Sequence, residues 1–258
     1  LTTVSPEAVD PAPADPDAAV PEPADGPGSA GSDGSQDTRG LGPLRIAVLV
    51  VAVAFLAGAV GWALGGRDTD PLNATDVGFM QDMSLHHEQA IQMSILLLDK
   101  DDVDPELGLY AVEIIMSQRF DQGLFNATLD RFGHPSAPGD TVMGWMGHGI
   151  PADQMPGMAS AEQMRQLRDA GGAEAESLWI ALMSDHHIGG MHMAEQAGER
   201  GQDKTVVGLA RGTKQIQADE VLELARYRAR HDLPFPDGFT DPVEHPYVQD
   251  RIEEMQGG

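Results

Sequence analysis

Phe79 to Met93 reads FMQDMSLHHEQAIQM, and one hundred positions later Trp179 to Met193 reads WIALMSDHHIGGMHM. Set side by side, Phe79 meets Trp179, and Met83, Ser84, His86, His87 and Met93 meet Met183, Ser184, His186, His187 and Met193. Ile91 is matched by Met191, both apolar. The segments that follow correspond at an offset of 99, Ala111 and Gln118 matching Ala210 and Gln217. Self-similarity at a fixed period marks a duplicated supersecondary unit. Here the unit is a helical hairpin, and two hairpins about a pseudo-twofold axis predict an all-α four-helix bundle.

Start and stop signals place the helices. Asp76 to about Lys100 reads as the first, with Thr75 as its N-cap. Asp104, Pro105 and Glu106 open the second with a cap, an N1 proline and an early acid, and Gly133 closes it. Ser160 with Gln163 forms a capping-box signature over a short helix that ends near Gly171 and Gly172. A third long helix spans about Ala173 to Arg200, and a fourth follows Asp203 and stops before Pro234 and Pro236. No stretch alternates as a strand does. The duplicated domain is thus bounded at 73–231, with a loop over 134–159 between its halves and a polar tail over 232–258 that carries at most a short helix near Val248 to Met255.

Upstream the character of the chain changes twice. Residues 1–43 hold eight acidic residues and one basic among Pro, Ala, Gly and Ser. Such a segment has too little apolar surface to offset its ordering entropy, so disorder is expected. Residues 44–66 contain the uncharged run Ile46 to Gly66, bounded by Arg45 and Arg67. At about 1.5 Å per residue the run spans a hydrocarbon core of about 30 Å and shows no polar face, which predicts a single transmembrane helix. Arg39 and Arg45 precede it, while Arg67 is followed by Asp68 and Asp70, a bias that favours a cytoplasmic N-terminus and an extracytoplasmic main domain at the cell membrane.

Composition removes whole classes of function. A net charge of −25, from 41 acidic and 16 basic residues, argues against nucleic acid as a partner, since phosphate neutralisation needs clustered Lys and Arg. The absence of cysteine excludes disulfides, thiolate metal sites and cysteine nucleophiles. Methionine is unusually frequent at 13, and its thioether is both a flexible core filler and a soft ligand.

Where the methionines sit favours the second role. Met83 lies one turn before His87, and Met183, His187 and Met191 form an i, i+4, i+8 stripe, so thioether and imidazole share a helix face. Met93 and Met193 follow the doublets in both halves. The loop adds MGWMGH, with Met143, Met146 and His148, and MPGM, with Met155 and Met158. Two readings of the loop stand together: a donor set suited to Cu(I), or a hydrophobic flap with Trp145 and the methionines as its buried face. A methionine stripe is also an ordinary core feature, and duplication preserves core residues as readily as ligands. The ligand reading requires the imidazoles to converge. It is lost if they lie far apart, point into water or are each committed to a fixed protein partner.

The paired doublets, the central MPGM and their flanking helices resemble the bacterial domain of unknown function 305 family over about residues 73–231. That resemblance implies a ferritin-like four-helix bundle, often exported or membrane-anchored, with copper binding in some members. It carries to His86, His87, His186, His187, Met83, Met93, Met183, Met193, Met155 and Met158. Two departures make the halves unequal: Asp82, a candidate partner one turn before His86, faces Leu182, and Glu88 faces Ile188.

The resulting expectation is a membrane-anchored, extracytoplasmic metal-binding protein, Cu(I) favoured over zinc, that sequesters or transfers copper. A metal-dependent oxidoreductase and a metal-free helical module are the alternatives. No catalytic constellation is apparent: no histidine has a glutamate three residues before it, against a di-iron site, and Ser84 and Ser184 lack a nucleophile elbow. Implied partners are a metal ion and the membrane, and homo-oligomer formation stays open.

Overall fold

The computed structural model describes residues 71–257. The acidic segment 1–43 and the apolar run 44–66 lie outside the described residues. Among the described residues no helix is long and apolar enough to cross a membrane.

The described chain is all-α. Its helices are α1 (Ala74–Leu98), α2 (Pro105–Arg131), α3 (Ala161–Asp169), α4 (Gly172–Arg200), α5 (Lys204–Arg230) and α6 (Pro246–Gly257), with three short 3₁₀ turns. The only β pairing among these residues is an isolated antiparallel bridge between Val142 and Ile150 inside the long loop.

Local chemistry explains the boundaries. The N-cap of α1 is Asn73, not Thr75: Asn73 accepts from Asp76 N, and the Asp76 carboxylate accepts from Asn73 N, both at 2.9 Å. Asparagine outranks threonine as a cap, and the acid at N3 completes the reciprocal box. Asp76 also accepts from the backbone of Gln202 and Asp203, which ties the start of α1 to the α4–α5 turn. Asp104 caps α2 ahead of Pro105, the Ser160–Gln163 box opens α3, and Asp203 caps α5. Gly133, with φ 78°, follows α2 in the left-handed conformation that ends helices.

The hairpins α1–α2 and α4–α5 pack internally and meet through α1 and α4. Met83 shares a core cluster with Met193, and Met93 shares another with Met183, so α1 and α4 pass in opposite directions. The run Leu178 to Met183 is buried on all sides, as expected of a central helix without a polar face. The C-terminal segment does more than trail. Val248 on α6 is fully buried against Met191, Ala218, Val221 and Leu222.

Candidate metal site

The crossing of α1 and α4 brings all four doublet histidines into one buried region. His86 and His186 stack with ring centroids 3.7 Å apart, and His186 and His187 lie 6.1 Å apart. All four side chains are at most 1% exposed.

Each ring engages the protein through Nε2. His86 Nε2 donates to the Pro156 carbonyl at 3.1 Å, and His186 Nε2 to the His86 carbonyl at 2.9 Å. His87 Nε2 faces Asp121 at 3.4 Å, and His187 Nε2 faces Glu220 at 2.7 Å. A carbonyl oxygen can only accept, so Nε2 carries the proton on His86 and His186. Burial, reinforced by the neighbouring His87, pushes His86 down to about 3, and burial with His86 beside it holds His186 well below the ordinary imidazole range. Both rings are therefore neutral at pH 7. Their Nδ1 atoms bear lone pairs that are buried and have no hydrogen-bond partner among the described residues, and the Nδ1 atoms of His87 and His187 are likewise buried and unpartnered.

A buried polar atom without a partner costs about 1–3 kcal/mol, so four in one core call for a physical reason. Metal-bound histidine supplies one, because the ring typically ligates through one nitrogen while its other N–H donates to a carboxylate or carbonyl. Every histidine of the doublets has that second contact. Each ring is thus committed to a fixed protein partner at Nε2, the condition that counts against ligation, and the ligand reading rests on the Nδ1 atoms alone. As they stand, no group of three or more His, Asp or Glu side chains among the described residues is spaced as a metal shell. The stacked rings would have to part for an ion to share them.

The methionines divide into three groups. Met83, Met193, Met143 and Met155 are buried together with Met80, a residue that the repeat did not single out although it lies one turn before Met83. Met93 and Met183 are buried on the other side with Trp179. Met191 packs beneath α6. Met146 and Met158 are half-buried against the first group, and His148 is exposed. The loop is thus a flap whose buried face includes two thioethers.

Asp82 clasps that flap. Its Oδ2 accepts from Met143 N at 2.6 Å and from the Trp145 indole N–H at 2.8 Å. Gly78 makes room for the indole: a Cβ there would lie 2.3 Å from a Trp145 ring carbon. Leu182, the counterpart of Asp82, is instead an apolar member of the core cluster that holds Trp179 and Met183, so the two halves differ at this position. We expect Asp82→Leu to destabilise the domain by about 2–3 kcal/mol, because it leaves two donors unpaired, whereas Asp82→Asn keeps an acceptor and costs under about 1 kcal/mol. Urea melts of the two variants provide the check. Equal losses would mean that the clasp depends on charge, not on hydrogen-bond acceptance.

Asp121 and Glu220 carry a signal that sequence reading missed. They obey the same offset of 99 as Gln118 and Gln217, on the second helix of each hairpin. Only the His-carboxylate contacts reveal their part. The Pro156 carbonyl, a backbone group, has no sequence signal.

Comparison with known proteins agrees with this architecture. The family Domain of unknown function (DUF305) matches residues 76–228. The chain is similar to a crystal structure of a DUF305 protein from Streptomyces coelicolor, with 36% identity, 63% of this chain and 96% of that chain covered, and a TM-score of 0.58. A DUF305 fragment from Deinococcus radiodurans is 27% identical, with 62% of this chain and 99% of that one covered and a TM-score of 0.54. CopM in the Cu(I)-bound form is 21% identical over 62% of this chain and 99% of that chain, with a TM-score of 0.46. Among curated proteins no relative matches.

Proposed function

This chain belongs to the DUF305 family, and on that premise we propose that it binds copper, favouring Cu(I), at the crossing of α1 and α4. The observation that carries this reading is the set of four buried Nδ1 atoms without partners, on rings whose Nε2 positions are already engaged. Imidazole and thioether suit Cu(I), and buried methionines flank the histidines on both sides. His86, His87, His186 and His187 would supply nitrogen, and Met83, Met193, Met143 and Met155, which share one core cluster, would supply sulfur. Copper held there is a sequestered or transferable soft cation. Asp121 and Glu220 orient two of the rings. The Pro156 carbonyl orients a third, which couples the flap to the site.

In this reading the two hairpins form a ferritin-like four-helix bundle, and residues 46–66 anchor it to the cell membrane with the bundle outside the cytoplasm. The protein acts as a binding protein, not an enzyme. The test is anaerobic titration of the whole chain with Cu(I) against a chromophoric competitor. We expect the double variant His186→Ala, His187→Ala to lose about a hundredfold or more in affinity relative to wild type. Equal weak affinity in both proteins would remove the proposal.

A second reading, a metal-free packing module, is favoured by the burial of the core methionines and by the Nε2 contacts. It predicts that stoichiometric Cu(I) leaves the melting temperature unchanged, since a ligand without affinity for the native state shifts nothing.

A further inference from the structure

Helix α2 is apolar on two sides, and only one of them is covered. Its inner side buries Leu107, Ala111, Ile114, Phe125 and Leu129 in the clusters shared with α1. Its outer side carries Leu109, Val112, Met116 and Phe120, then Gly123 and Ala127, all of them exposed. That series runs i, i+3, i+7, i+11, i+14, i+18, the spacing of one helix face. Leu109, Met116 and Phe120 are 70%, 68% and 67% exposed, more than any other large hydrophobic residue described. A helix apolar on opposite sides is ordinarily buried on both. Single surface hydrophobics need no explanation, but a contiguous apolar stripe marks an interaction surface.

Helix α5 widens the face. Phe120 and the exposed Ile216 line one cleft of about 240 Å³ between α2 and α5, with Leu209 beside them. Charge decides what fits there. The chain carries −25, so two copies repel unless they meet over a surface with little charge. The stripe is such a surface: Glu113 and Arg119 flank it with opposite signs, and Arg119 is paired with Glu88 at 2.8 Å. A lipid surface calls for clustered Lys and Arg around the apolar face, whereas α2 has no lysine and only Arg119 and Arg131. The stripe also complements itself. In an antiparallel pairing centred on Met116, Leu109 lies opposite Gly123, where a Cβ would meet nothing within 4 Å, and Met116 meets its own copy.

We propose that the outer face of α2, widened by Ile216 of α5, docks a second copy of this chain. The two α2 helices pack antiparallel about a twofold axis through Met116, the arrangement in which one patch serves both partners. The interface is separate from the histidine core, and copper takes no part in it.

Because the chain has no cysteine, Met116→Cys gives it a single thiol. Two such thiols beside the twofold axis are within reach of a disulfide, which needs α-carbons closer than about 7 Å. The whole chain is reconstituted at low density in neutral phosphatidylcholine vesicles and oxidised with diamide, without copper. We expect Met116→Cys to form a linked dimer about tenfold or more faster than Met255→Cys, an exposed position on α6. Adding Phe120→Lys or Leu109→Lys to Met116→Cys should slow linkage about tenfold or more, since each places a charge at the centre of the contact. Both positions are exposed, so circular dichroism and melting should match wild type. Equal rates for the two single-thiol variants, or a Met116→Cys rate that survives both lysine changes, would overturn the proposal. So would protection of the Met116→Cys thiol from a water-soluble maleimide in vesicles too dilute to link, which would assign the stripe to lipid.

Discussion

Gly189→Ala is expected to destabilise the domain by about 2–3 kcal/mol, lowering the melting temperature by roughly 5–10 °C. A Cβ at Gly189 would lie 2.0 Å from the Pro156 carbonyl oxygen and 2.3 Å from its carbon. The obstacle is backbone, so no rotamer change relieves it. The approach is reciprocal: Gly157, at φ 80°, sets its own α-carbon against α4, where a Cβ would meet the Asp185 carbonyl at 2.5 Å. Either the MPGM segment lifts from α4 or α4 bends, and lifting breaks the contact from His86 Nε2 to Pro156. Gly212→Ala is the control. A Cβ there meets nothing within 4 Å, so in a helix interior it should stabilise by about 0.5–1 kcal/mol. Thermal melts of the two variants settle the matter, and a Gly189→Ala protein that melts with wild type would mean the loop does not seat on α4 in solution.

Acidification of the metal-free domain should have an effect of similar size. The unfolded chain binds a proton on His86 near the ordinary imidazole value of 6.5, while the native ring resists protonation down to about 3. His186 is depressed in the same sense by the same burial. Between these limits the unfolded state binds more protons than the native one, so stability is complete above about 6.5 and is lost as pH falls toward 3. A group depressed in this way removes up to about 1.4 kcal/mol of stability per pH unit below its unfolded value. Asp82 and Asp185, raised above 3.8 by burial, act in the opposite sense and offset part of this. Urea unfolding at pH 7.5 and 5.0 of wild type and of the double variant His86→Gln, His186→Gln isolates the histidine share. The double variant should lose much less stability than wild type on the same pH change. Matching losses would place the acid sensitivity elsewhere.

Much of this was legible in residues 79–93 and 179–193. The repeat implied two like hairpins, and cap chemistry placed helix starts to within two residues because Asp104, Ser160 and Asp203 satisfy orphan N–H groups locally. The exception, Thr75 for Asn73, turned on which of two polar residues could exchange bonds with Asp76. The doublets were visible as candidate ligands for the same reason: duplication wrote them twice. Asp121 and Glu220 were concealed because a carboxylate on a helix reads as a solvated face until its imidazole partner is seen.

The sequence by itself determined the all-α character, the duplication and the histidine and methionine repertoire, since periodicity, capping and composition act over a few residues. Only the tertiary structure decided that His86 and His186 stack, that every doublet ring engages Nε2 and leaves Nδ1 bare, and that Met83 joins Met193 while Met93 joins Met183. Those outcomes depend on the sense in which α1 crosses α4 and on where a loop carbonyl comes to rest. Both follow from close packing between residues about a hundred positions apart, which no local pattern encodes.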